Sequence, residues 1–291
     1  MRIVTIVARH GTATYTNALD ELDLFYARFL PGIQRETIVT DNALPESHRE
    51  RLADACTLIG GSSAAREFSA WDSAIEFLGD RILEFDFVHL VTAAFQQLYT
   101  AYIERFDTRM LAAMRGRAVA IGHVDRYNDP VRFYGRVSQS WIRSSFLFIP
   151  PAELRLFGSF VSVAEGSLFF SGDPADPFRA DAPLDAGYRQ NILGWLTGEG
   201  TGQGTMWHSR FVLTAETLPL FEAKTIAVLN EHALSIRLRG QGCAMVDATW
   251  LATHVAAAGT ERLSQTPIPH WRDQLALRDV DAVPLEVEAA A

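Results

Sequence analysis

Several stretches of the chain place ionisable, hydroxyl and aromatic side chains where an apolar run ends. Gly122-His123-Val124-Asp125-Arg126-Tyr127-Asn128-Asp129-Pro130 is densely polar and follows the apolar segment Ala118 to Val124. A polar loop at a sheet edge is a frequent carrier of function. His123 and Asp125 can bind a sugar hydroxyl or a metal there; equally they can be a solvated loop with one buried imidazole. Gln139, Ser140, Trp141, Arg143, Ser144 and Ser145 set hydroxyls, an amide and a guanidinium beside an indole. Aromatic faces with fixed polar groups suit a sugar site, and the same composition suits a solvent-facing strand. Gly202-Gln203-Gly204-Thr205-Met206-Trp207-His208-Ser209-Arg210 reads as a mobile lid. In it Trp207 would contact substrate, His208 could act as a base near neutral pH and Arg210 could offset diphosphate charge. The plainer alternative is a loop around a packed indole.

A second set of candidates sits where strands meet helices, because ligands of open α/β sheets bind outside the carboxyl ends of the strands. Arg9 and His10 follow the first apolar run, Asp41 and Asn42 the second, Gly60-Gly61-Ser62-Ser63 the third, and Thr92 the fourth. The Gly-Ser turn offers backbone N–H groups at the expected start of a helix, a ready anion site. Arg66, one turn in, can reach a phosphate with two parallel hydrogen bonds. Neither GxGxxG nor GxxxxGK[ST] occurs, and GxSxG and HExxH are missing as well. The eight histidines include no i, i+4 pair, and Cys56 and Cys243 belong to no CxxC, so both read as buried thiols.

The elements that must position these groups follow from periodicity. Arg2–Ala8, Glu36–Thr40, Ala55–Ile59, Phe85–Val91 and Ala118–Val124 are short and apolar, as buried parallel strands are. Asp20–Phe29 has helical spacing. A further helix is expected from a Ser62 or Ser63 cap, with Phe68, Trp71, Ile75 and Leu78 on its buried face. Ala93–Met114 reads as an amphipathic helix broken near Phe106-Asp107. Residues 1–124 therefore alternate strand and helix and predict an α/β, Rossmann-like, mostly parallel sheet. Residues 125–282 are expected to form a less regular, mixed acceptor-binding half. It contains a strand at Trp141–Pro150, a loop at Asp173–Pro183 and helices at Leu184–Leu196, Glu216–His232 and Ala244–Ala258. Residues 283–291 read as an unanchored tail.

The order of strand, turn with Asp41, strand and Gly-Ser turn is followed by Ala65-Arg66-Glu67-Phe68-Ser69-Ala70-Trp71-Asp72 and another strand. Over residues 1–150 this pattern resembles GT-A glycosyltransferases and is similar to bacterial enzymes that build rhamnan-type surface polysaccharides. The resemblance implies transfer of a sugar from a UDP-, GDP- or dTDP-linked donor to a carbohydrate or lipid-linked acceptor. It implies that Asp41 holds the base or ribose and that the Arg66–Asp72 helix lies beside the nucleotide. GT-A enzymes usually carry Asp-x-Asp after the fourth strand, where this chain reads Val91-Thr92-Ala93. Either Arg and Lys neutralise the diphosphate without a divalent metal, or the catalytic implication fails. In the latter case the chain is a non-catalytic glycan- or partner-binding relative. A nucleotidyl- or methyl-transferring α/β enzyme is the third alternative.

An inverting transfer needs a carboxylate base. Asp125, Asp173, Asp176, Asp181 and Glu199 qualify, with Asp125 preferred because a core strand fixes its position. The formal net charge of −9 argues against a general nucleic-acid binder but leaves room for a local basic pocket. The opening MRIVTIVARHG lacks the shape of a signal peptide, and no run of about 18 apolar residues occurs. The expected setting is cytoplasmic, with peripheral membrane contact left open.

Overall fold

The computed structural model describes residues 1–96, 100–198 and 210–281. The expected tail, Glu199, Trp207, His208 and most of the expected lid lie outside the described residues. The β-branched N-terminal run forms strand β1 (Arg2–Arg9), whose interior residues are all buried. Helix α1 (Ala18–Phe29) returns the chain to β2 (Gln34–Asp41). A short exposed strand, β3 (Arg49–Ala53), precedes β4 (Cys56–Gly60) and pairs with it antiparallel. Helix α2 (Glu67–Leu78) leads to β5 (Phe87–Thr92). Strands β4, β2, β1 and β5 lie side by side and parallel, as their apolar runs predict.

Helix α3 (Thr108–Met114) leads to β6 (Val119–Phe133), which turns back through Tyr134-Gly135 into β7 (Arg136–Ile149). Both turn residues have positive φ, 46° and 73°, the geometry of a two-residue hairpin that matches strand twist. Strand β7 runs antiparallel between β5 and β6. Then come α4 (Pro151–Phe157), α5 (Ala186–Thr197), α6 (Leu218–Gly240), β8 (Ala244–Asp247), α7 (Ala248–Ala258), α8 (Thr260–Gln265) and α9 (Trp271–Asp281). Strand β8 joins β6 in parallel, giving one eight-stranded mixed sheet in the order β3-β4-β2-β1-β5-β7-β6-β8. The boundary expected at residue 124 thus falls inside β6, and the second half of the chain completes the sheet of the first.

Each face of the sheet carries its own core. One collects residues of α1, α3, α7 and α8; the other collects α2, α4 and the C-terminal part of α6. Phe68 and Trp71 of α2 are fully buried, as their spacing predicts. Burying a phenylalanine side chain contributes about 2–3 kcal/mol. A third cluster packs the β6–β7 hairpin (Tyr127, Val131, Phe133) against α5 and the N-terminal half of α6. Among the described residues, no helix is long and apolar enough to cross a membrane.

Three sequence expectations change. Helix α2 begins at Glu67, not beside Ser62, because Ser69 Oγ donates to Ser62 O and accepts from Ala65 N, fixing a separate turn ahead of it. Ala93–Met114 is not one helix: Phe95, Tyr102, Ile103 and Phe106 are buried from turns, and among the described residues only Thr108–Met114 is α-helical, capped by Asp107 accepting from Met110 N. Ala244–Ala258 splits into β8 and α7 at Asp247, whose carboxylate accepts from Thr249 N and Trp250 N and caps the helix.

Candidate functional site

The carboxyl ends of β1, β2, β4, β5, β6 and β8 open on one edge, and a break in the β6–β7 ladder supplies that edge with polar groups. Gly122 pairs with Leu147 and Val124 with Ile142, so His123 alone stands opposite Arg143, Ser144, Ser145 and Phe146. Such a bulge re-aims side chains and ends regular pairing. Gly122 allows the approach; a Cβ there would lie 3.0 Å from the Ile142 side chain and 3.2 Å from Leu147 Cβ.

Strand β5 reaches β7 only over Phe146–Ile149, so above it the edge of β7 needs other partners. Helix α6 supplies them. Ser235 Oγ accepts from Ile142 N at 2.9 Å. One turn earlier, Glu231 Oε1 accepts from Ser144 N at 2.6 Å and from Ser144 Oγ at 2.8 Å.

Two carboxylates with opposite electrostatics meet here. Arg143 Nε donates to Asp125 Oδ2 at 2.5 Å, and His123 Nε2 lies 3.3 Å from Asp125 Oδ1. Burial would raise the Asp125 carboxyl, but Arg143 and His123 overcome it and hold the group well below the usual carboxylate range. Glu231 shifts the other way. Burial is the largest influence, and Asp125 and Glu67 add repulsion, so its carboxyl is pushed up to about 7 despite the Ser144 hydrogen bonds. Groups whose surroundings drive their pKa values apart are how a site separates an acid from a base. Tyr102 stands over His123, ring centroids 5.0 Å apart, and burial raises its phenol to about 12. Trp141 packs between Tyr127 at 4.6 Å and His232 at 4.3 Å.

Further along the edge, Arg66 and Lys224 lie close enough to repel, and Glu67 sits with them. Burial first, and then Arg66, lower the Lys224 ammonium. Burial raises Glu67, against the pull of Arg66 and Lys224. Arg66 Nε donates to Ala223 O at 3.3 Å, and its backbone has φ 53° and ψ −129°, a strained conformation for a non-glycine residue.

Several expected ligand contacts take other roles. Asp41 is 2% exposed; its Oδ1 accepts from Gly11 N and Ala43 N and its Oδ2 from Arg9 Nε, so the pair braces the loop after β1 instead of facing a nucleotide. Asp72 accepts from Ser159 Oγ, Phe160 N and Val161 N, tying α2 to the segment after α4. The Gly-Ser turn is not an open anion cradle. Gly60 N donates to His48 O, Gly61 N to Asp41 O and Ala64 N to Ser62 Oγ. Its glycines are required by crowding: a Cβ on Gly60 would lie 1.8 Å from Pro45 O, and one on Gly61 2.4 Å from Thr40 Cγ2. His10 is exposed and Thr92 half-buried at the open edge. Arg210 packs on Gly198, where a Cβ would meet its Cδ at 2.3 Å. Gln139 Nε2 donates to Tyr127 O and Asn128 O, tying the two strands of the hairpin together. Asp173, Asp176 and Asp181 are exposed on their loop, and Asp181 pairs with Arg179.

His123 lies 3.3 Å from Asp125 and 3.9 Å from Asp247, and the two carboxylates already have cationic partners. Arg143 already holds Asp125, and Arg278 Nη1 holds Asp247 Oδ2 at 3.0 Å. Among the described residues, no group of three His, Cys, Asp or Glu side chains is arranged to hold a metal ion. Glu231 and Lys224 are the residues the sequence did not reveal. Both lie inside an amphipathic helix, where acids and bases ordinarily mark the solvent face; the only local sign is the polar run Asn230-Glu231-His232.

The fold and edge define an α/β protein with a cluster of polar and aromatic side chains at one edge of a mixed sheet. No family model, curated protein or solved structure matches the chain.

Proposed function

We propose that this protein is a glycosyltransferase that moves a sugar from a nucleotide-sugar donor to a hydroxyl of a carbohydrate or lipid-linked acceptor. The observation that carries the reading is the pairing, at the sheet edge that would form the donor crevice, of a cation-held carboxylate, Asp125, with a carboxyl poised near neutrality, Glu231. Glu231, not Asp125, then has the protonation behaviour of a general base. In the transfer, the acceptor oxygen bonds to the anomeric carbon, the bond from that carbon to the diphosphate breaks, and the acceptor proton passes to Glu231. Arg66 and Lys224 are cations suited to the departing diphosphate. Arg143 fixes Asp125 for hydrogen bonding to a sugar hydroxyl.

Calorimetric titration with UDP, GDP and dTDP, with and without Mg²⁺, tests the reading. Submicromolar to submillimolar binding of one nucleotide, weakened by Arg66→Ala, supports it. Failure of all three to bind at millimolar concentration removes it. A second reading, a non-catalytic glycan-binding relative, draws on the use of Asp41 and Asp72 as loop braces, which withdraws both from a nucleotide. Binding of oligosaccharide without any nucleotide would favour it.

A further inference from the structure

A groove of about 410 Å³ lies outside the crevice, between the β6–β7 hairpin, the C-terminal end of α6 and the start of α9. Arg239, Arg272, His270, Trp271, Gln139 and Ser138 are among its walls. Arg239 Nη1 donates to Ser140 O at 2.9 Å and Nη2 to Ser138 Oγ at 3.2 Å, so the guanidinium is fixed by neutral groups. Arg272 Nη2 donates to Gln139 Oε1 at 2.5 Å, and its guanidinium lies 4.6 Å from the Trp271 ring centroid. The groove also takes in the first residues of α9, whose backbone N–H groups carry the positive end of the helix dipole.

Among the described residues, no carboxylate lies within ion-pair distance of Arg239 or Arg272; the Arg–acid pairs elsewhere in the chain involve other arginines. Burial pushes the Arg239 guanidinium down with no acid to offset it. In a protein of net charge −9, two guanidinia that share a groove without an acid are a local reversal of sign. A partly buried cation is costly unless it is paired, and an oxyanion supplies the missing partner with charge-assisted hydrogen bonds.

We propose that this groove is a second binding site, for a monosaccharide-sized molecule bearing a phosphate or carboxylate group that bridges Arg239 and Arg272. Its volume suits a small ligand. The Ser140 hydroxyl, which accepts from Arg239, and Gln139 Oε1, which accepts from Arg272, supply polar contacts for the rest of the molecule. The site is independent of nucleotide binding in the crevice.

Titration of the whole chain by calorimetry at low ionic strength tests the site, with inorganic phosphate, glucose 6-phosphate, glucuronic acid and glucose as probes. Saturable binding of an anionic probe, absent for glucose, is expected. Free phosphate binding as well as glucose 6-phosphate assigns the site to the anion alone; tighter binding of either sugar anion assigns it to the sugar-borne group. Arg272→Ala should weaken binding about tenfold or more, the scale of a lost charged hydrogen bond, with Arg272→Lys intermediate. Arg66→Ala, which lies outside the groove, should leave it unchanged. Absence of saturable binding up to about 10 mM, a typical weak-site limit on the affinity scale, overturns the proposal. So does binding that Arg272→Ala leaves intact. Nucleotide titrations on Arg272→Ala separate this result from the crevice reading, because they depend on Arg66 and not on Arg272.

Discussion

Ser144 gives both its backbone N–H and its hydroxyl to one oxygen of Glu231, at 2.6 and 2.8 Å. The carboxylate is held in one orientation by a strand, while the helix that carries it completes the edge of that strand. A group positioned by packed elements on both sides is suited to proton transfer, which needs fixed geometry before a tuned pKa.

Replacing Glu231 tests its role directly. Gln keeps an oxygen to accept from Ser144, so the fold should persist. Turnover should fall by about 10²–10⁴, the usual contribution of a general base, with nucleotide affinity retained. Wild-type kcat/KM should rise with pH through about 7 as Glu231 ionises, and Glu231→Gln should lose that limb. A variant whose pH profile matches wild type would take Glu231 out of the proton path.

Arg66→Ala and Lys224→Ala should each weaken nucleoside diphosphate binding by about 1–3 kcal/mol, the range for hydrogen bonds to charged groups. Lys224 is already lowered by burial and by Arg66. In Arg66→Ala its ammonium should therefore titrate higher, which NMR of the lysine side chain can follow.

Arg143→Ala should destabilise the fold by about 3 kcal/mol, because it strands a mostly buried Asp125 carboxylate. Adding Asp125→Asn should recover part of that loss. Urea melts of the two single variants and the double variant give the coupling directly, and additive losses would show that the pair is not an energetic unit.

Two buried imidazoles set an acid limit. His89 lies between the Tyr26 hydroxyl, 2.9 Å from Nδ1, and the Phe148 ring, and burial drives its pKa far below normal. Burial, and then Arg239, lower His232 to about 3, and Tyr188 OH lies 2.6 Å from its Nδ1. Unfolding frees both to take up protons near pH 6.5, so the unfolded state binds more protons and stability falls as pH drops below that value. At pH 5 the loss for His232 is about 2 kcal/mol, at about 1.4 kcal/mol per unit. Glu231 acts in the opposite sense, since its folded carboxyl is raised: its contribution declines as pH rises from about 4.5 to 7. Denaturant midpoints between pH 5 and 7 should show a shallower acid slope in His232→Gln than in wild type. An unchanged slope would mean that His232 is already charged in the folded chain.

Gly60→Ala should destabilise the protein by more than about 2 kcal/mol, within the range for overpacking, since the new methyl would meet the rigid Pro45 carbonyl at 1.8 Å. A melting temperature like that of wild type would show that the Leu44-Pro45 turn yields.

The sequence by itself determined the parallel core. Short β-branched runs such as Arg2–Arg9 and Phe87–Thr92 can be buried on both faces only within a sheet, and the Phe68, Trp71, Leu78 stripe of α2 can only pack against one. It also marked His123 and Asp125 in one polar segment and Trp141 and Arg143 in another, because their types contrast with the apolar runs beside them. Tertiary structure decided the rest. That Asp41 braces a loop, that Arg143 silences Asp125 and that Ser144 holds Glu231 are contacts between residues 30, 18 and 87 positions apart. Local pattern reports which face of an element is buried, but a side chain's charge state depends on what the fold brings against it, and that partner has no signature in the neighbouring sequence.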